Sequence, residues 1–323
     1  MNIRALFSFS IASLLALAAA STSTSTPAYS QGKIRVVVSV DWEGDDLIES
    51  NLVSIRDFRQ DYPTIPMQHF LNAAYFTKAG ANPSQTSALM HSVLLPIDEE
   101  GLHIHAWRSL VQASGVTFRT GPSFVAEAVD LRNCLADCGN DVMLTAYSES
   151  ELRKIIKFSL DTLEKQGFDR ARSFRAGGWI ANRKVLRALA AEGITLDSSA
   201  TYSEYLKEQW GNYNLYPIVG RLWPSIQPTS QPFVVALTSD TSILELPNNG
   251  NLADYMTGDQ MFKAFLKNVE LLKVNSGRDV YLSIGFHQET AATYLPHLRS
   301  GIDQIRAYAE QNLIPIEFVV APL

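Results

Sequence analysis

The chain has 323 residues, 46% of them hydrophobic, and a formal charge of −6 from 33 acidic and 27 basic residues. That is enough apolar material for one large buried core. The acidic balance leaves no basic field to attract nucleic acid, and beyond the first residues no stretch is long and apolar enough to span a bilayer.

Residues 1–31 read as a signal peptide followed by a short polar linker. Arg4 supplies a positive charge, and Ala5 to Ala20 form an apolar run too short for a typical span. Ala18-Ala19-Ala20 fits the small-residue cleavage pattern, and a Ser/Thr run follows from Ser21 to Thr26. This predicts a periplasmic or secreted protein, with 32–323 as a single domain. In an oxidising compartment Cys134 and Cys138 are expected to pair.

Ile34 to Asp41 is a dense β-branched run, the mark of a strand covered on both faces. Strands are also expected at 68–77 and 101–107, with a helix at 83–95 between them. The stretch 109–144 has few regular signals. Ser148 and Glu151 form a capping box that opens a helix closed at Gln166-Gly167. A strand at 172–179, a helix at 183–192 and a strand at 194–199 follow. Residues 202–237 are a Trp/Tyr/Pro-rich excursion. Then come a strand at 242–247, a helix at 260–274 closed by Ser276-Gly277, a strand at 280–287, a helix at 295–311 and a strand at 314–320. This alternation predicts βα units around seven or eight strands, hence a parallel sheet or barrel. No glycine-rich phosphate loop is present.

Four segments carry reactive side chains where strands are expected to end, and a barrel gathers such ends onto one rim. His103 and His105 lie two apart, so both imidazoles face one side of a strand and can bind one cation. Asp41 and Glu43 obey the same rule, opposite Val36, Val38 and Val40. One can hold metal while the other acts as base. Asp45 and Asp46, after Gly44, are alternative acidic ligands or turn residues. Arg175 can clamp a carboxylate. Gly177 and Gly178 leave backbone N–H groups open to an oxyanion. Asp197 can orient a histidine or pair with Arg175. His287 is the candidate general acid. Trp42, Trp107, Trp179, Trp210 and Trp223 are candidates for stacking on sugar rings or for packing.

Taken in order, Ser39-Val40-Asp41, Gly101-Leu102-His103-Ile104-His105, Phe174-Arg175-Ala176-Gly177-Gly178-Trp179, Leu196-Asp197-Ser198-Ser199 and Gly285-Phe286-His287 resemble the five motifs of the polysaccharide deacetylases of carbohydrate esterase family four, the NodB-homology domain. The resemblance implies a distorted (β/α)7 barrel that removes N- or O-acetyl groups from glycans with one divalent metal, zinc first, with cobalt, nickel or manganese as alternatives. It implies Asp41 as general base, His103 as metal ligand, Arg175 as orienter of the base, and His287 as general acid helped by Asp197. The chain departs from the pattern. Trp42 stands where a second Asp is usual, so Glu43 becomes the acidic ligand. Trp107 stands where the second His is usual, so His105 takes that role. Glycines and Trp179 replace the usual Pro and Tyr of the third motif. Two other readings fit the same fold: a non-catalytic glycan-binding protein and a hydrolase of non-sugar amides.

Overall fold

The computed structural model describes residues 32–322 apart from Leu135 and Ser276. The expected signal peptide and the Ser276 helix end lie outside the described residues. Elements follow in the order β1 (Ile34–Asp41), α1 (Glu49–Asp61), β2 (Met67–Leu71), α2 (Pro83–His91), β3 (Glu99–Ile104), α3 (Arg108–Ala113), α4 (Glu149–Lys165), β4 (Ser173–Ala176) and α5 (Arg183–Ala191). Then come β5 (Leu196–Asp197), α6 (Lys207–Trp210), α7 (Leu215–Leu222), β6 (Phe233–Ala236), β7 (Ser242–Glu245), α8 (Gly258–Val274), β8 (Val280–His287), α9 (Ala291–Gln311) and β9 (Ile316–Phe318).

Seven strands pair in parallel in the order β7-β5-β4-β3-β2-β1-β8, with β6 antiparallel on the outer edge of β7. The last strand, β9, lies beside residues 34–36 of β1, on the edge that β2 takes over from Val38 onward. The curled sheet closes irregularly. Among the described residues no ladder joins β7 to β8. Residues 248–253 span the gap, with Gly250 N donating to Ser283 O (2.8 Å) and Ala253 N to Gly285 O (2.8 Å). The Asn248 and Asn249 side chains complete the seam: Asn248 Nδ2 donates to Ser283 O (3.2 Å), and Ser283 N donates to Asn249 Oδ1 (2.9 Å). Side-chain amides thus satisfy backbone groups that a regular ladder would have paired. The architecture is the expected distorted (β/α)7 barrel.

Alternation along β1 sorts its side chains. Val36, Val38 and Val40 pack outward in the main core, and Val37 points inward with Leu196, Leu246 and Ala321. Val37, Leu196, Leu246 and Ala321 form a small apolar cluster of their own. The capping box of α4 forms as expected, and the helix buries Leu152, Ile155, Ile156, Leu160 and Leu163. Each such side chain contributes about 1.5–3 kcal/mol.

Several elements differ from expectation. The second strand stops at Leu71 because the Asn72 side chain accepts from Ala74 N and starts a 3₁₀ turn. Helix α1 was not expected; its N-cap is Ile48, with no side-chain cap to mark it. Helix α9 begins at Ala291, four residues before the expected start, and carries Pro296 inside it. The excursion contains α6, α7 and β6.

Candidate active site

Register assembles the site. In the β1–β8 pairing Asp41 stands opposite His287, and in the β3–β4 pairing His103 stands opposite Arg175. These are the C-terminal ends of four parallel strands, where a barrel presents its chemistry. Asp41, Glu43, His103, His105, Gly178 and His287 border one cavity of about 220 Å³.

Glu43, His103 and His105 converge, each offering one ligand atom within 4.8 Å of the others. His103 Nδ1 is 2.8 Å from the carbonyl oxygen of Arg175, and His105 Nδ1 is 2.5 Å from that of Asn140. A carbonyl only accepts, so each Nδ1 carries the proton and donates it. Both Nε2 atoms then face the Glu43 carboxylate, at 3.2 Å (His103 to Oε1) and 2.7 Å (His105 to Oε2). Neutral imidazoles so tied present lone pairs to a carboxylate, a set of acceptors with no proton among them. Only a cation, or protonation of the rings, reconciles the three. Imidazoles whose other nitrogen donates to a carbonyl are the usual form of histidine metal ligands. Two nitrogens and one carboxylate oxygen suit zinc or a similar first-row ion. Without a cation, burial disfavours charge on Glu43, yet the His105 and His287 rings outweigh it and hold its carboxyl well below the usual range. Burial likewise disfavours charge on His105, and Glu43 reverses that and raises it.

The turn that delivers Glu43 is held from several sides. Its carbonyl accepts from Trp107 Nε1 (2.8 Å) and Asn72 Nδ2 (3.0 Å). Glu289 accepts from the backbone N–H groups of Glu43 (3.1 Å) and Asp45 (3.2 Å), and from the Tyr75 hydroxyl. Burial and the nearby Glu43 charge push the Glu289 carboxyl up to about 8. Gly44 turns the chain at φ +79°, and a Cβ there would lie 2.8 Å from Ala74 Cβ. Asp45 and Asp46 are exposed and stand outside the cluster, so of these acidic candidates Glu43 is the one that lies with the histidines.

Arg175 is completely buried. It donates from Nη1 to Asp41 Oδ1 (2.7 Å) and Ser39 Oγ (2.8 Å), from Nε to Ser198 O (3.0 Å) and from Nη2 to Ser198 Oγ (2.9 Å). Asp41 is therefore fixed with one oxygen engaged and its carboxylate bordering the cavity. Gly177 has a steric reason to lack a side chain: a Cβ would sit 2.6 Å from the His105 ring.

The structure corrects the role expected of Asp197. It does not reach His287. Its neighbours are Ser199, whose Oγ donates to Asp197 Oδ1 (2.7 Å), and Glu245, which stands opposite it in the β5–β7 register. The His287 partner is Asp254, 3.0 Å from Nδ1, which sequence reasoning missed. Asp254 also accepts from His287 N (3.3 Å) and from the Thr290 hydroxyl. The His287 Nε2 atom then points toward Glu43 Oε1, 3.5 Å away. Burial opposes protonation of His287, but Asp254 and Glu43 dominate and lift it to about 10.

Asp197 and Glu245 form a fully buried carboxyl pair. Burial comes first among the causes that push Asp197 up to about 6 and Glu245 well above the carboxylate range, with mutual repulsion adding to the rise in Glu245. Asp197 Oδ2 and Glu245 Oε2 are both buried without another partner, as one proton held between them requires. An acid whose folded pKa is raised binds more protons folded than unfolded. Stability is therefore present below the unfolded value and is lost as pH rises toward the folded one. Glu245→Gln keeps a donor facing Asp197 without titrating. We expect its melting temperature relative to the parent to rise between pH 5 and pH 8; a difference independent of pH would show that the pair shares no proton.

Among the tryptophans, Trp179 and Trp210 border the cavity. Trp42 is core and donates to His69 Nδ1 (3.2 Å), Trp107 braces Glu43, and Trp223 Nε1 donates to Trp179 O (2.9 Å). Cys134 and Cys138 are joined by a disulfide. No helix among the described residues is long and apolar enough to cross a membrane.

No family model matches the chain, and no curated protein does. Among solved structures it is similar to an allantoinase (13% identity, 91% of this chain and 89% of that one, TM-score 0.49). It is also similar to a family 4 carbohydrate esterase from Streptomyces lividans in complex with acetate (11%, 86% and 89%, TM-score 0.41). A third is a pseudoenzyme of that esterase family from Bacillus anthracis (8%, 88% and 64%, TM-score 0.42). Likeness at this level says nothing about individual residues.

Proposed function

We propose that the chain is a metal-dependent hydrolase that removes N- or O-linked acetyl groups from a polysaccharide or oligosaccharide. The observation that carries this reading is the joint presence of three devices around one cavity: a convergent Glu43/His103/His105 cluster, a carboxylate held by a buried arginine, and an imidazole held by a carboxylate. The ordered motifs of the sequence support the acetyl-glycan assignment. The Cys134–Cys138 disulfide and the leader-like composition of 1–31 support export to the periplasm or beyond.

Glu43, His103 and His105 would hold one divalent cation, zinc first among the candidates. Such an ion polarises a carbonyl and makes water acidic enough to ionise near neutral pH. Asp41, fixed by Arg175, takes the proton of the attacking water, as a positioned base must. The water oxygen becomes part of acetate, and the bond from the acyl carbon to the sugar nitrogen or oxygen breaks. His287 borders the same cavity with Nδ1 bound to Asp254. It delivers a proton from Nε2 to the departing amine or alcohol. The backbone at Gly178, which borders the cavity, supplies the donor we assign to the developing oxyanion.

Purified protein supplied with Zn²⁺ or Co²⁺ is expected to release acetate from acetylated chitooligosaccharides or acetylated xylan. Asp41→Asn should abolish release while leaving metal bound. Metal-loaded protein that binds such glycans but releases no acetate would instead establish the glycan-binding alternative.

A further inference from the structure

We infer that the site takes the terminal sugar residue of a glycan chain, entering end-first, and not an internal residue of a chain lying across the mouth. The inference rests on the deacetylase reading above and deepens it.

Two insertions meet at the barrel mouth and wall part of the cavity. The first is the segment between α3 and α4, which brings Phe124 to the cavity; the second is the excursion after β5, which brings Trp210 and Leu215. They touch each other. The Phe124 and Trp210 rings meet edge-on at 6.2 Å, and Asn214 Nδ2 donates to Ala126 O (3.4 Å). Both press onto the turn after β4: a Cβ on Gly178 would lie 3.1 Å from Leu215 Cδ1 and 3.3 Å from the Phe124 ring. The wall continues past β7. Gln209 Nε2 donates to Asp254 O (2.6 Å), and Tyr255 stands edge-on both to Trp179 (5.6 Å) and to His287 (5.9 Å).

This wall is built into the protein. Leu206, Leu215 and Val219 are buried in one apolar cluster with Trp179 and Ile180, so the excursion has its own core beneath it. Side chains buried among apolar neighbours hold their positions. A polymer lying across a site needs two exits, one for each direction of the chain. Contacts of this wall extend from the segment after α3 to Tyr255 beside His287, and on this inference it takes the place of one of them.

Size and lining agree. The cavity of about 220 Å³ is smaller than the roughly 300–1,000 Å³ pockets that enclose a drug-sized ligand, and so suits about one sugar unit. Trp179, Trp210 and Tyr255 line it with aromatic rings, and among the described residues no lysine or arginine borders the cavity. Uncharged sugar rings fit that surface.

The test uses the full metal-loaded protein with two probes, tetra-N-acetylchitotetraose and acetylated xylotetraose, and compares each with its polymer. The products are sequenced by mass spectrometry to find which unit has lost its acetyl group. We expect loss at one terminal unit only. Turnover per acetyl group should be roughly 10²-fold lower or less on the polymer, because internal units cannot reach the reactive geometry. A Trp210→Gly/Leu215→Gly variant, which opens the wall, should begin to deacetylate internal units. Internal units cleaved by the parent as fast as terminal ones would overturn the inference and leave the deacetylase reading standing. No acetate from any of the four substrates would overturn both.

Discussion

Arg175→Met is expected to lose roughly 3–5 kcal/mol of stability, the cost of stranding one member of a buried ion pair. Arg175 is fully buried, and its donors reach Asp41, Ser39 and Ser198. Methionine fills much of the volume but leaves the Asp41 carboxylate without its counter-charge, and leaves the Ser198 carbonyl without a donor. Denaturant unfolding of the metal-free protein should show a lower midpoint with an unchanged slope. Adding Asp41→Asn to the same background removes the stranded charge, so the double variant should recover most of the loss. Activity should be absent from both. A single variant as stable as the parent would mean that Asp41 relaxes into solvent on its own, and that Arg175 does not position it.

Asp254→Asn carries the second large effect. The carboxylate holds Nδ1 of His287 and so presents Nε2 to the cavity. An amide in that place removes the charge that favours the protonated ring. It can also turn its N–H₂ group toward Nδ1 and reverse the tautomer. Positioned acid–base groups contribute on the order of 10²–10⁴ in rate, and kcat should fall within that range while KM changes little. Asp197→Asn is the matched control. Because Asp197 faces Glu245 and Ser199, its substitution should alter the pH dependence of stability and leave the pH profile of turnover alone. If Asp197→Asn lowers kcat as steeply as Asp254→Asn, the placement of these two carboxylates is wrong.

What could be read from the chain and what could not divides along physical lines. Asp41 and His287 follow apolar runs that specify buried parallel strands, so their presence on one rim follows from the fold class; His103 and Arg175 follow Glu99-Glu100-Gly101-Leu102 and Arg172-Ser173-Phe174, which carry a much weaker strand signal. The two-residue spacing of His103 and His105 places both rings on one face, and the structure uses both. The Ser148/Glu151 box is local chemistry and forms as read. Asp254 was invisible for the opposite reason. It follows Asn248-Asn249-Gly250-Asn251, a stretch with turn composition and no strand period. Its place beside His287 arises only because that stretch fills the seam between β7 and β8 with side-chain amides. Asp197 misled because it follows a strand, as the other site residues do. Side chains alternate across that strand, and the carboxylate points to the side that Glu245 shares. Glu289 lies two residues beyond His287, but its contacts to the Glu43 turn and Tyr75 cross more than 200 residues of sequence.

The most direct measurement is a calorimetric Zn²⁺ titration of chelator-stripped protein, run beside the His103→Ala/His105→Ala variant, with circular dichroism to confirm that both are folded. The parent should bind about one equivalent with release of protons, since without a cation Glu43 favours the protonated ring of His105. The variant should bind none with comparable affinity. Equal stoichiometry and affinity in the two proteins would contradict the assignment of Glu43, His103 and His105 as a metal centre.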